Sequence, residues 1–217
     1  MLPLTLGERT GEALEILCLG AHCDDIEIGC GGTVLRLAEQ FPEARFRWVV
    51  LSSNDERAAE AQRAAEHFLS GAGKKDIRIE RFRESYFPWI GAEIKDYFET
   101  LKADVAPDLI LTHHRHDRHQ DHRLVAELTW NTWRDHLILE YEIPKYDGDL
   151  GSPNVFVALD DSTARRKVDG IVQHFPSQRH RDWFDPETFR ALLRLRGMEA
   201  NAPGRFAEGF YGPKVVI

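Results

Sequence analysis

The sequence predicts an α/β fold, a mostly parallel sheet with helices on both faces. Two observations carry this. Strand-like apolar runs alternate with helical patterns through the first ~135 residues, the order that builds a parallel sheet covered on both sides. Two polar segments, "AHCDD" (21–25) and "HHRHDRHQDHR" (113–123), each follow such a strand and lead into a helix. Ligand crevices form outside the carboxyl ends of the strands in open parallel sheets, so both segments are expected at the same sheet edge.

The elements follow in order. "EILCLGA" (15–21) reads as a buried strand, and "GGTVLRLAEQF" (31–41) has apolar residues at helical spacing. "RFRWVVLSS" (45–53) is rich in β-branched and aromatic residues, and "ERAAEAQRAAEHFLSGAG" (56–73) is a strong helix former ending in glycines. "DIRIERF" (76–82) alternates with period two. Residues 89–105 read as a helix stopped before Pro107, 108–114 as a strand and 120–137 as a helix. Beyond these, 137–143 and 154–160 look like strands, and 161–175 and 186–197 like helices. The turn-rich stretch 145–154 is too short for a domain linker, so one domain spanning 1–217 is expected.

Composition narrows the function. The formal net charge of −8 argues against a nucleic-acid binder, which needs a basic face. The N-terminal "MLPLTLGERTGEALEILCLGAH" does not read as a signal peptide, and no run approaches the ~20 apolar residues of a membrane helix. The three cysteines, Cys18, Cys23 and Cys30, crowd one short segment, a poor disulfide framework. A cytoplasmic protein is expected, with homo-oligomerisation left open.

"AHCDDIEIGCGGT" (21–33) has three readings: a metal site, a phosphate-cradling loop or a polar turn. Carboxylates favour helix N-termini, so Asp24 and Asp25 alone would suggest an acidic helix start. Five histidines within 113–122 tip the balance, because histidine is the commonest metal ligand. A catalytic zinc takes three protein ligands and keeps a position open. His22 and Asp25, with one histidine of the second segment, would supply that set. His119 and His122, three apart at a helix start, can face the same side, leaving the other to act on substrate. Asp121 can orient an imidazole.

These residues carry a resemblance. "AHCDDIEIGCGGT" resembles the Ala-His-Pro-Asp-Asp…Gly-Gly-Thr signature of the PIG-L (LmbE-like) N-acetylglucosaminyl deacetylase family, and "HQDH" (119–122) its His-x-Asp-His signature. "ERAAEAQRAAEHF", "HFPSQ" (174–178) and "RFAEGFY" (205–211) are similar to its Arg-x-x-Glu, His-x-x-Ser-Gln and Ala-Glu-x-Phe segments. The resemblance implies a Rossmann-like fold and a hydrolase that removes the N-acetyl group from an amino sugar or its conjugate. Zinc, or another divalent metal, would be the cofactor. It implies His22, Asp25 and His122 as metal ligands, Asp24 as general base, a protonated His119 as the second catalytic group, and Arg57 near substrate. The ordinary alternative for Arg57 is a surface pair with Glu60. The expected partner is a small N-acetylated sugar, sugar nucleotide or glycoconjugate. Two departures stand out: Cys23 replaces the family proline, and "SSNDER" lacks the Thr-x-Gly-Glu pattern.

Two rivals differ in class. A nucleotide-binding protein would use Gly29, Gly31 and Gly32, but Gly-x-Gly-x-x-Gly is absent. A non-catalytic carbohydrate module would stack sugars on Trp48, Trp89, Trp130, Trp133 or Trp183. Glu140, Glu142 and Lys145 are expected either in the substrate pocket or as surface residues.

Overall fold

β1 (Glu15–Gly20) sends alternate side chains to opposite faces of the sheet. Ile16 and Cys18 enter one core with Phe46, Trp48 and Phe68, while Leu17 and Leu19 enter a second core with Ile94, Phe98, Ile110 and Val125. This period-two division of an all-apolar strand is what a sheet covered on both faces requires. The computed structural model describes residues 13–216. The N-terminal segment read as lacking a signal peptide therefore lies mostly outside the described residues.

The remaining elements are α1 (Asp25–Gln40), β2 (Arg45–Val50), α2 (Asp55–Phe68), β3 (Lys74–Ile79), α3 (Gly91–Asp104), β4 (Leu109–His113), α4 (Gln120–Thr132), β5 (Leu137–Tyr141), β6 (Val155–Leu159), α5 (Asp161–His174), α6 (Pro186–Glu199) and β7 (Phe206–Tyr211). The seven-stranded sheet has the order β3-β2-β1-β4-β5-β7-β6. Neighbours among β1 to β5 pair in parallel; β7 runs antiparallel to both β5 and β6. The chain reverses its strand order between β1 and β4, so the loops after these two strands share the crevice. No helix among the described residues is long and apolar enough to cross a membrane.

β3 lies at Lys74–Ile79 rather than 76–82, and three larger departures bear on the fold. β7 was not expected as a strand, yet it fills the place between β5 and β6. α4 stops at Thr132 rather than 137, because Trp133 leaves the helix and is buried against Phe98, ring centroids 6.0 Å apart. The largest departure is α1, which begins at Asp25 and carries the glycines inside it.

Those glycines are packing positions, not a phosphate loop. A Cβ on Gly29 would lie 2.2 Å from the Tyr141 ring, and one on Gly31 2.6 Å from Phe68. The helix breaks its regular geometry at Cys30 (φ −143°, ψ 16°). A break frees backbone groups that must find other partners. Glu208 of β7 accepts from Gly32 N at 2.8 Å, Thr33 N at 2.6 Å and Thr33 Oγ1 at 2.6 Å. Lys167 of α5 donates to Ile28 O and to Glu208, both at 2.6 Å. Glu208 belongs to "RFAEGFY", so this late segment braces the helix that starts at the site.

Candidate metal centre

The turn after β1 brings His22, Asp24 and Asp25 to the carboxyl edge, where Asp25 Oδ2 accepts from His22 N at 2.6 Å. The end of β4, the loop after it and the first turn of α4 deliver His113, Asp117, His119, Asp121 and His122 to the same edge. His22 Nδ1 lies 3.1 Å from His122 Nε2 and 3.4 Å from Asp25 Oδ2; His122 Nε2 lies 3.5 Å from Asp25 Oδ1. Donors about 2.0–2.2 Å from a tetrahedral ion stand roughly 3.3–3.6 Å apart. The nitrogen and carboxylate donors are of the kind a divalent cation takes, with Asp25 meeting His22 and His122 through different oxygens.

Each histidine of this trio is held through its other nitrogen. Asp121 Oδ2 lies 3.1 Å from His22 Nε2, and Asp117 Oδ2 lies 2.9 Å from His122 Nδ1. Carboxylates behind metal-binding histidines fix ring orientation and tautomer. Asp121 was singled out from the sequence; Asp117 was not, although it stands in the same charged stretch. Asp117 also accepts from His119 N at 2.7 Å and meets Lys145 Nζ at 2.9 Å.

Two further histidines crowd the trio. The ring nitrogens of His22, His119 and His122 converge as one group that could hold a metal ion, and a carboxylate oxygen of Asp25 with ring nitrogens of His113 and His122 as another. His113 was not chosen from the sequence, although it is the last residue of β4. It is fully buried, stacks on His122 with centroids 3.9 Å apart, and places Nε2 3.1 Å from Asp25 Oδ2. That nitrogen also lies 3.0 Å from Ala21 N, so its lone pair already has a backbone donor. His22 Nδ1, by contrast, faces His122 Nε2 and Asp25 Oδ2. His119 caps α4: its Nδ1 accepts from Asp121 N at 3.2 Å. The neutral ring must therefore carry its proton on Nε2.

The adjacent aspartates occupy opposite settings. Burial alone would raise the Asp25 pKa, but His122, His113 and His22 outweigh it and hold the carboxylate well below its usual range. Asp24 is raised, because burial and the neighbouring Asp25 exceed the pull of Arg57 and His22. Burial opposes charge on His22 as well, yet Asp25 and Asp121 push it up to about 10 without metal. Burial, then the charge of His113, lowers His122 to about 3. His119 is lowered, first by burial and then by His22, at odds with the protonated group expected from the resemblance. Glu27 is pushed well above the usual carboxylate range by burial; in its neutral form it adds no third negative charge beside the two aspartates.

Arg57 Nη2 lies 2.9 Å from Asp24 Oδ1. The alternative of a surface pair with Glu60 is not met, since Glu60 accepts from Ser177 N at 2.9 Å and Ser177 Oγ at 2.6 Å. The Arg-x-x-Glu helix and the Ser-Gln segment thus clasp each other. "SSNDER" builds the approach: Ser52 Oγ donates to Ala21 O at 2.9 Å, and Asn54 Oδ1 accepts from Arg57 N at 2.9 Å, capping α2. Cys23 donates to Ser52 O at 3.3 Å, and burial pushes its thiol up to about 12. Cys18 and Cys30 are core residues. Glu140 and Glu142 are buried rather than on the surface. Glu140 binds His114, Arg115 and Trp130, and Glu142 binds Arg196.

A metal-suited His/Asp cluster at the switch point of a Rossmann-like sheet defines the class of this molecule. The profile described as PIG-L, GlcNAc-PI de-N-acetylase, matches residues 17–133, and the chain belongs to that family. Curated proteins give no sequence match. Among solved structures, the conserved protein TT1542 from Thermus thermophilus is 18% identical, with TM-score 0.72, covering 94% of this chain and 96% of its own. The N,N'-diacetylchitobiose deacetylase from Pyrococcus horikoshii is 20% identical, with TM-score 0.67, covering 92% and 83%. GalB, the 4-carboxy-2-hydroxymuconate hydratase from Pseudomonas putida, is 17% identical, with TM-score 0.71, covering 94% and 98%. At these identities the likeness shows the fold.

Proposed function

We infer that the protein is a metal-dependent hydrolase that removes the N-acetyl group from an amino sugar or amino-sugar conjugate and releases acetate. The opposite settings of Asp24 and Asp25 carry this reading. One faces the histidine cluster and the other faces a lone arginine, so two like residues can serve two roles. The membership of the chain in the PIG-L family supplies the reaction class.

His22, Asp25 and His122 would hold the ion, zinc being the simplest choice. When bound, such an ion lowers the pKa of a coordinated water from about 15.7 to about 7 and polarises a carbonyl oxygen. Asp24 is the base that takes the proton of the attacking water. Arg57 holds the Asp24 carboxylate in place. His119, neutral in the free site, offers Nε2–H to the acetyl oxygen as negative charge grows there. The C–O bond forms, the C–N bond breaks, and the proton collected by Asp24 passes to the leaving nitrogen. The products are acetate and a free amine.

One domain over 1–217 would carry the reaction. A cytoplasmic location fits the three free, buried cysteines. The likeness to a hydratase shows that the fold alone does not select the reaction. The deciding experiment is acetate release by zinc-supplied protein across N-acetylated sugars, sugar nucleotides and glycoconjugates. Release that depends on the metal supports the reading; no acetate from any of these compounds overturns it.

A further inference from the structure

Phe87–Trp89 form a single 3₁₀ turn between β3 and α3. Side chains three apart eclipse in such a turn, so Tyr86 and Trp89 share a face that Phe87 does not. Phe87 is fully buried, its ring 6.2 Å from that of His22. Tyr86 and Trp89 look outward, 42% and 69% exposed, with centroids 5.8 Å apart.

The turn is anchored to the metal centre. Asp121 accepts from Ser85 N at 2.6 Å and Phe87 N at 3.2 Å, and the same carboxylate lies 3.1 Å from His22 Nε2. Gln120 Nε2 donates to Ser85 O at 2.6 Å. The turn that carries the exposed indole is therefore tied, through the backbone of Ser85 and Phe87, to the carboxylate beside His22. Large aromatic surface left in water on an anchored turn marks a contact site.

We propose that Trp89, flanked by Tyr86, is a stacking platform for a second pyranose ring, the one joined to the acetamido sugar whose amide is cut. This rests on the deacetylase reading above. The surroundings select a sugar. The Arg83 guanidinium sits 3.5 Å over the Tyr86 ring, and the Glu84 charge acts on both His22 and Arg57. A pyranose offers C–H groups to an aromatic face and hydroxyls to such charged neighbours. A hydrocarbon chain would desolvate Arg83 and Glu84 without pairing them. Arg83 covers one face of Tyr86, so Trp89 carries the free surface.

The test compares N-acetylglucosamine with its β-linked dimer, N,N'-diacetylchitobiose, using zinc-supplied wild type, W89A and W89F. Acetate release and calorimetric binding are both read. The expected kcat/KM preference for the dimer is about fivefold, the size one aromatic contact supplies. W89A should erase it by raising KM for the dimer, with the monomer unchanged, while W89F keeps most of it. Equal effects on both sugars, or none on either, would overturn the platform. So would a change in sedimentation mass in W89A, which would assign this face to contact between copies. If neither sugar releases acetate, Trp89-dependent binding of the dimer still sustains the platform and the deacetylase reading alone falls. Absence of such binding sinks the platform as well.

Discussion

Asp117 Oδ2 meets His122 Nδ1 at 2.9 Å, and both side chains are buried. The contact leaves Nε2 as the free nitrogen facing His22 and Asp25. Asp117→Asn keeps the shape but removes the charge that favours this arrangement and pairs with Lys145. Loss of a carboxylate behind a metal-binding histidine typically costs 10–100-fold in affinity or activity, so zinc affinity should fall by about that factor. Chelator competition measures it; unchanged affinity would remove Asp117 from the site.

The adjacent aspartates should fail differently. Asp25→Asn should lower metal occupancy, with activity partly restored by added zinc. Asp24→Asn should keep the metal and lose about 10²–10⁴-fold in turnover, the usual worth of a general base, without rescue by zinc. Metal content and acetate release measured side by side check this. Loss of zinc from the Asp24 variant, with a metal-replete Asp25 variant, would reverse the assignment.

Arg57 meets Asp24 rather than open solvent, so its substitution should reach the reaction through that carboxylate. Arg57→Ala should lower kcat more than it raises KM, with zinc retained. Arg57→Lys should recover part of the loss, since the charge returns without the planar fork. An effect confined to KM would instead make Arg57 a substrate contact, as the family resemblance implied.

The strand and helix alternation that sets the fold was readable because each element repeats its own hydrophobic period. The cluster was readable where its residues stand in two short segments, as His22, Asp25 and His122 do. What escaped depended on tertiary contacts. The helical pattern becomes visible only at Gly31, so it misses residues 25–30 of α1, where Gly29 is a glycine because the Tyr141 ring approaches too closely for a side chain. His113 and Asp117 differ in nothing local from their charged neighbours; only the folded loop turns them inward. β7 was missed because its short "FAEGFY" spends Glu208 on a helix break that no local pattern announces.

That break gives a stability prediction. Glu208→Ala leaves Gly32 N, Thr33 N and the Lys167 ammonium without their carboxylate. Removing one partner of a buried ion pair typically costs about 3–5 kcal/mol. Denaturant unfolding should show a loss of that order, and Lys167→Met in the same chain should return part of it. Two additive losses in the double-mutant cycle would mean that the residues are not coupled.

The pair His67 and His174 sets a pH dependence away from the site. Their rings lie 5.0 Å apart between α2 and α5. Burial lowers both pKa values, with Arg166 adding to the effect at His67, and with His67 and Arg63 adding at His174. The unfolded chain takes up these protons near the ordinary histidine value of about 6.5, whereas the folded chain resists them until lower pH. Between those values the unfolded state binds more protons, so stability rises with pH. It is fully present above about pH 6.5 and is lost as pH falls through the folded values. Thermal unfolding between pH 7.5 and pH 5, about one to one and a half units either side of that midpoint, should show a falling Tm. The double variant His67→Gln, His174→Gln should fall less steeply than wild type, because glutamine takes up no proton. Parallel Tm profiles for the two proteins would show that this pair does not contribute to the acid limb.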